Sequence, residues 1–487
     1  MKKISIIGSG FSSLATSCYL AKYGFKVTVY EKNDYLGGRA RQLKRDGFTF
    51  DMGPTWYWMP DVFETFFADF NAKPSDYYKL DKLNPAYSVY YDVLDYITIV
   101  DNLDEIANTF ESIELGSGNK LKAFINEAKS NYDIAIKDLV YNPGESFFEL
   151  VTPKTVGKLN QFLGTVSKDV KKVFKNKRLQ SILEFPVLFL GAKPSNTPSF
   201  YNFMNYADFG LGTWHPKGGM YEVIKGMVSL AKSLGVDFEN YANVEKIAVK
   251  NNKVEGLWID DYLVKSDLVV SGADYVHTEQ LLPEANRQYT DEYWNKKTFA
   301  PSSLLFYVGL NKPVENVEHH TLFFDTDFDA HAESIYDTPE WPEKPLFYAS
   351  FPSKTDATIA PEGKEAAIFL IPLAPGIEDS DEIRAVYFEK IIDRLEKLTK
   401  QDIRSHILFK ESFGINNFIE DYNSYKGNAY GLANTLMQTA FLRPKLKSNR
   451  VKGLYFTGQL TVPGPGVPPS LISGKLTADL VKKYELK

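Results

Sequence analysis

Cysteine is almost missing from this chain: Cys18 stands alone among 487 residues. No internal disulfide can form, and the sequence fits a reducing compartment. Cys18 lies among Leu14, Ala15, Tyr19 and Leu20 in an apolar helical pattern, so it reads as a buried thiol and not as a nucleophile. No stretch reaches about 18 consecutive apolar residues, the length that a bilayer-spanning helix needs. The apolar start Ile4-Ser5-Ile6-Ile7 breaks at Gly8-Ser9-Gly10, too early for an export signal. An excess of positive charge is lacking as well; the net charge is -6, which argues against nucleic acid as a partner. The six histidines show no metal-ligand spacing, so no metal is expected.

What is there points to a large globular enzyme: 44% hydrophobic and 24% charged residues over a length that exceeds one ordinary core. Ile4 to Ile7 reads as a buried strand, Ser12 to Tyr23 as a helix closed by Gly24, and Val27 to Tyr30 as a second strand ending at Glu31. Between the first strand and the helix stands Gly8-Ser9-Gly10-Phe11-Ser12-Ser13. Small residues there let the backbone approach a pyrophosphate, and a helix N-terminus offers it N–H donors. Ser13 occupies the place of the usual third glycine. Glu31 can accept both ribose hydroxyls and would repel a 2′-phosphate, which narrows the nucleotide to FAD or NAD.

Leu36-Gly37-Gly38-Arg39-Ala40 follows, then Asp51-Met52-Gly53-Pro54. The glycine doublet can fold back across a pyrophosphate, and Arg39 can offset its charge. With these motifs the first 55 residues resemble the two-dinucleotide-binding-domain flavoproteins, and that resemblance implies FAD. The candidate cofactor residues in this part are Gly8, Gly10, Phe11, Ser12, Glu31, Lys32, Gly38, Arg39, Gly53, Pro54 and Thr55. A second Gly-x-Gly-x-x-Gly is lacking, so no NAD(P)H domain is expected.

Farther along, residues 60–200 turn from aromatic-rich strands to long helical stretches crowded with lysine and read as a mostly helical insertion. Residues 219–270 return to a helix and strands, 281–440 alternate strands with an amphipathic helix at 381–399, and 453–484 give strand, Pro/Gly-rich turn and helix. The expected fold is α/β: a Rossmann-like FAD-binding domain, three layers around a mostly parallel sheet, from 1–75, 205–280 and 441–487. A mixed sheet-and-helix substrate domain is expected from 76–204 and 281–440, with a helical, membrane-facing part at 150–190.

Trp214-His215-Pro216-Lys217-Gly218-Gly219-Met220 and the Gly458 to Ser473 segment resemble the bacterial phytoene desaturase family, within the amine oxidase superfamily. Further matches are His319-His320-Thr321, Ala360-Pro361-Glu362-Gly363, Tyr425-Lys426-Gly427-Asn428-Ala429 and Phe441-Leu442-Arg443-Pro444. The resemblance implies FAD-dependent desaturation of a carotenoid, by loss of hydride and proton across an allylic C–C bond of phytoene or of a later monocyclic or 1-hydroxy carotenoid. It places Val244 at the adenine and Gly458, Val467 and Pro468 at the flavin ring or its ribityl chain, with Gln459 a further cofactor-binding candidate. Gln459 and Val462 depart from the family pattern.

The candidate proton acceptors are Glu149, which by the resemblance matches a carboxylate of related desaturases, His215 and water. Trp56, Tyr57 and Trp58 can wall an apolar tunnel. The lipid-dissolved substrate implies a cytoplasmic protein held peripherally on the inner face of a membrane. Lys154 to Leu190 is the docking candidate, with lysines between Val156, Leu159, Phe162, Leu163, Val170 and Phe174. The electron acceptor, oxygen or a quinone, leaves no motif. The rival readings are a carotenoid isomerase, another amine-oxidase-like flavoenzyme, and a non-catalytic carotenoid carrier.

Overall fold

A computed structural model describes all residues except 151, 152, 189 and 487, and all side chains among the rest except those of 147, 150, 154, 156, 159 and 436. Five parallel strands form the nucleotide-side sheet in the order Leu454–Phe456, Leu268–Ser271, Lys3–Ile7, Lys26–Tyr30, Asp237–Glu239. Near-continuous apolar strands such as 4–7 suit a sheet covered on both faces. Ile4, Ile6, Val27, Val29, Val269 and Val270 are all buried.

Helix Phe11–Lys22 crosses this sheet, and the C-terminal helix Val467–Glu485 packs beside it. Two glycines set the approach. A Cβ on Gly474 would stand 2.6 Å from Ala15 Cβ, and one on Gly272 would stand 1.9 Å from Ser13 Oγ. Ser13 fits in the third-glycine position because the room it takes is given up by Gly272 on the facing strand end. Pro468 and Pro469 stand in the first turn of the C-terminal helix, where the missing N–H costs nothing, so that helix begins at Val467 and not at Ser470.

A second sheet of seven strands carries the other half. Its order is Ile407–Phe413, Ser302–Leu310, Glu365–Leu373, Phe347–Ser350, His320–Phe323, Tyr87–Asp92, Asp95–Ile99. The segment expected as a mostly helical insertion therefore divides: its strands at 87–99 join this sheet through a parallel pairing with His320–Phe323. Its helices, among them Ser117–Ile134 and Lys177–Leu188, form a separate layer with the following helix Phe203–Phe209. The amphipathic helix falls at Asp381–Thr399, as its periodicity predicts.

Helix Val166–Val173 narrows the segment that could dock. Val166 and Val170 face inward, as does Phe174 just beyond, edge-on to Phe110 and Phe124, while Lys168, Lys171 and Lys172 point to solvent. An amphipathic stripe buried in a protein core has the same period as one buried in lipid. Phe162 stacks on Phe200 and is partly buried; of the apolar residues named for docking, Leu163 remains exposed. Part of that candidate segment, including the side chains of Lys154, Val156 and Leu159, lies outside the described residues.

Candidate functional site

One long cavity opens between the two sheets. Its lining includes every cofactor residue named from the sequence: Gly8, Gly10, Phe11, Ser12, Glu31, Lys32, Gly38, Arg39, Gly53, Pro54, Thr55, Val244, Gly458, Gln459, Val467 and Pro468. Residues from both ends of the chain thus face one space. Glu149 and His215 are not part of that lining.

The nucleotide end is built from backbone. Gly10 caps helix Phe11–Lys22 and supplies no side-chain acceptor, which leaves first-turn N–H groups for an anion. Gly38 (φ +57°) runs so close that a Cβ on it would lie 3.2 Å from Gly10 Cα. The buried Glu31 carboxylate accepts from Ser9 N at 3.0 Å, Ser9 Oγ at 2.6 Å and Asn33 N at 3.0 Å. Arg39 donates to Ser424 Oγ at 2.9 Å and lies over the Tyr422 ring, while its buried Nε has no partner among the described residues. An orphan guanidinium N–H beside an uncapped helix start is a donor set for phosphate, and a carboxylate at the end of the second strand is an acceptor for ribose. The residues present fit FAD.

The Asp-x-Gly and Gly-Gly-Met motifs turn out to be partners. Asp51 accepts from Met220 N at 2.7 Å and Gln42 Nε2 at 3.2 Å, so it caps the start of helix Tyr221–Ser233. Burial raises its carboxyl to about 6, against those bonds. On the other side Asp356 accepts from Gly218 N at 2.6 Å and from Thr358, and it lies 3.3 Å from His215 Nε2. Burial alone would raise the Asp356 carboxyl, yet the bonds from His215, Thr358 and Gly218 hold it below the usual range. In this structure His215 anchors the turn through Asp356. Glu149 closes its own loop, accepting from Gly144 N at 2.7 Å and Glu145 N at 3.0 Å.

The other end of the cavity is apolar. Trp56, Trp58, Phe185, Leu188, Leu190, Met204, Leu322, Phe324, Phe328, Ile335, Leu346 and Leu370 line it. Tyr57, between the two tryptophans, turns away to stack on Phe63 and bond Tyr78. Residues that the sequence did not single out include Phe324, just past strand His320–Phe323, Phe328 and Ile335 of helix Phe328–Tyr336, and at the nucleotide end His277, whose imidazole burial lowers to about 4. Tyr336, Tyr348 and Tyr430 line the same space.

Asp208 sits behind this wall. Its Oδ2 accepts from Tyr87, which packs on Trp56, and its Oδ1 has no partner among the described residues. Burial raises the carboxyl to about 7, while the Tyr87 bond pulls the other way. The fold thus keeps a proton that the unfolded chain loses near about pH 4, so this contribution is complete below that pH and lost as pH rises through about 7. Asp208→Asn is expected to flatten the loss of thermal stability between about pH 4 and about pH 7; an unchanged slope would show that Asp208 is ionised in the fold.

The flavin containing amine oxidoreductase family model matches residues 12–482. The chain is 43% identical over 485 residues to the carotenoid 3,4-desaturase of Haloarcula japonica, covering 98% of this chain and 97% of that protein. It is 33% identical over 500 residues to the 4,4'-diapophytoene desaturase (4,4'-diaponeurosporene-forming) of Staphylococcus aureus, covering 99% of each. Among solved structures, an oxidoreductase from Methanosarcina mazei superposes with a TM-score of 0.65 at 17% identity, over 98% of this chain and 100% of that one. Putrescine oxidase bound to putrescine gives 0.60 at 13%, over 99% of each. At such identities these two structures carry the fold alone.

Proposed function

We infer the reaction from one premise: the chain belongs to the flavin containing amine oxidoreductases and, within them, to the carotenoid desaturase family. It is an FAD-dependent oxidoreductase acting on a carotenoid. The observation that carries this reading is the two-ended cavity, donor-rich at Gly8 to Arg39 and apolar from Trp56 to Leu370. Bound FAD supplies the hydride acceptor.

The chain's own residues bind and orient. Glu31 would take the ribose hydroxyls, Arg39 and the N–H groups after Gly10 the pyrophosphate, and Val244 the adenine. Gly458, Gln459, Val467 and Pro468 would face the ring and ribityl chain. A polyene has little to hydrogen-bond, so apolar walls such as Phe185, Leu188 and Phe324 hold one C–C bond in place and exclude water. The bond oxidised is the 3,4 bond of a carotenoid; the higher identity to the 3,4-desaturase, 43% against 33%, supports this over an early phytoene step.

The polyene arrives from lipid, and the protein meets a membrane surface peripherally. No helix among the described residues is long and apolar enough to cross a membrane. Phe148, Leu163 and Met437 are 80%, 75% and 72% exposed. Their segments adjoin: Tyr201, beside the Phe162–Phe200 stack, bonds Thr439, and Gly144 lies against Phe441. Three exposed apolar side chains on neighbouring segments suit a lipid interface.

The test is an anaerobic incubation of FAD-loaded protein with liposomes carrying phytoene or, separately, a carotenoid saturated at its 3,4 bond. The expected result is co-sedimentation with the vesicles, flavin bleaching, and a red-shifted polyene with the second substrate in preference to the first. Readmitting oxygen or adding a quinone then identifies the acceptor by which one restores the flavin colour. Isomers without net oxidation would mean an isomerase, and no change with either substrate would mean a carrier.

A further inference from the structure

We propose that Tyr348, backed by His320, accepts the proton released from the polyene as the new double bond forms. This rests on the desaturase reading above and names the residues that complete its chemistry.

Elimination leads to this pair. The carboxylates among the described lining residues are Glu31, Asp274 and Asp421, all at the nucleotide end and all engaged: with Ser9 and Asn33, with the start of helix Tyr275–Gln280, and with Arg41. His331 reaches the apolar part, but both ring nitrogens are bound to backbone, Nε2 donating to Pro372 O and Nδ1 accepting from Leu346 N, each at 2.9 Å. Tyr348 also lines the cavity, and its hydroxyl lies 2.6 Å from His320 Nδ1 and 2.9 Å from Thr55 Oγ1. Tyr336 and Tyr430 face the same space, but no imidazole is bonded to either hydroxyl among the described residues.

His320 is fully buried. Burial, with His215 nearby, holds its imidazole neutral at physiological pH. In the tautomer the proposal needs, the ring hydrogen is on Nε2, which has no partner among the described residues, and Nδ1 accepts from the phenol. Trp56 stacks on the imidazole at 3.9 Å and 12°, a face that favours a passing positive charge. A weak acceptor suffices, because departure of a hydride leaves the polyene with positive charge that makes the neighbouring C–H strongly acidic.

The balance is as follows. The hydride leaves the allylic carbon with its electron pair for the oxidised flavin. The neighbouring C–H bond breaks heterolytically and its pair becomes the π bond. Its proton bonds Tyr348 Oη while the phenol's own proton moves to His320 Nδ1. Tyr348 is the catalytic residue and His320 acts through it.

Tyr348→Phe keeps the ring against the cavity and removes the hydroxyl; His320→Gln keeps a hydrogen-bonding group and removes the proton acceptor. Both are expected to retain FAD and to bind carotenoid, read from the polyene spectral shift, within about twofold of the parent. Turnover should fall about 100-fold or more with KM unchanged, the scale of a lost proton-transfer group. The parent should show a solvent deuterium effect on flavin reduction that Tyr348→Phe lacks. Turnover within about threefold of the parent in both variants, or FAD and carotenoid binding lost in step with turnover, would overturn the proposal. A parent that oxidises no polyene would instead overturn the desaturase reading itself.

Discussion

Glu31→Ala is expected to purify nearly free of FAD. The carboxylate ends the second strand of the parallel sheet and is 5% exposed, so it is already oriented and desolvated when a ribose arrives. Hydrogen bonds to a charged group contribute roughly 1.5–3 kcal/mol each, and losing two at the ribose lowers affinity by about 100-fold or more. A second loss adds to the first. Ser9 N and Asn33 N both donate to Glu31, and alanine leaves those donors without their acceptor beside the Gly8 to Gly10 turn. Glu31→Gln keeps an acceptor oxygen and should retain more FAD than alanine. The flavin-to-protein absorbance ratio after gel filtration reads this directly, and equal FAD content in parent and Glu31→Ala would remove the ribose assignment.

The nucleotide half of the cavity was readable because its constraints are local and chemical. Gly8 takes a φ of +82° that side chains rarely adopt, a Cβ on Gly38 would press on Gly10 Cα, and Glu31 and Arg39 carry charges that an apolar core does not call for. The apolar half left no such mark. Trp56 and Phe185 are the residue types of any core, and the contacts of Trp56 with Tyr87, His320 and Tyr348 join residues far apart in the chain. Glu149 shows a different limit: a carboxylate's position along the chain does not say what it accepts from, and in the structure it accepts from the turn at 144–146. Val170 and Phe174 show the same ambiguity in a helix, since periodicity identifies an apolar face without identifying what covers it.

Arg443 was visible in the sequence only as part of a family likeness, yet its substitution should be among the most damaging in the chain. It is 2% exposed. Its guanidinium donates to Thr461 O at 2.8 Å, Asn434 Oδ1 at 2.6 Å, Gln438 O at 2.9 Å, Leu432 O at 3.1 Å and Gln459 O at 2.9 Å. Burial pushes its pKa down to about 10, so the group stays charged at neutral pH with carbonyl dipoles and one amide as its hydrogen-bond partners. Those bonds tie 432–438 to 459–461, and Gln459 lines the cavity, so the arginine holds a cavity-lining turn without itself being part of the lining. Arg443→Met keeps the length and apolar stem but leaves buried acceptors unpaired, at about 1–3 kcal/mol each where no water replaces the donor, for a total of roughly 3–5 kcal/mol after relaxation. Arg443→Lys offers three donors from a single point and should recover only part of the loss. Thermal unfolding followed by flavin fluorescence is expected to rank the parent above lysine and lysine above methionine, with FAD released at lower temperature in the same order. Methionine and parent unfolding together would mean that the 459–461 turn is held by its other contacts, among them the bond from Gly458 N to Ser473 Oγ at 2.9 Å.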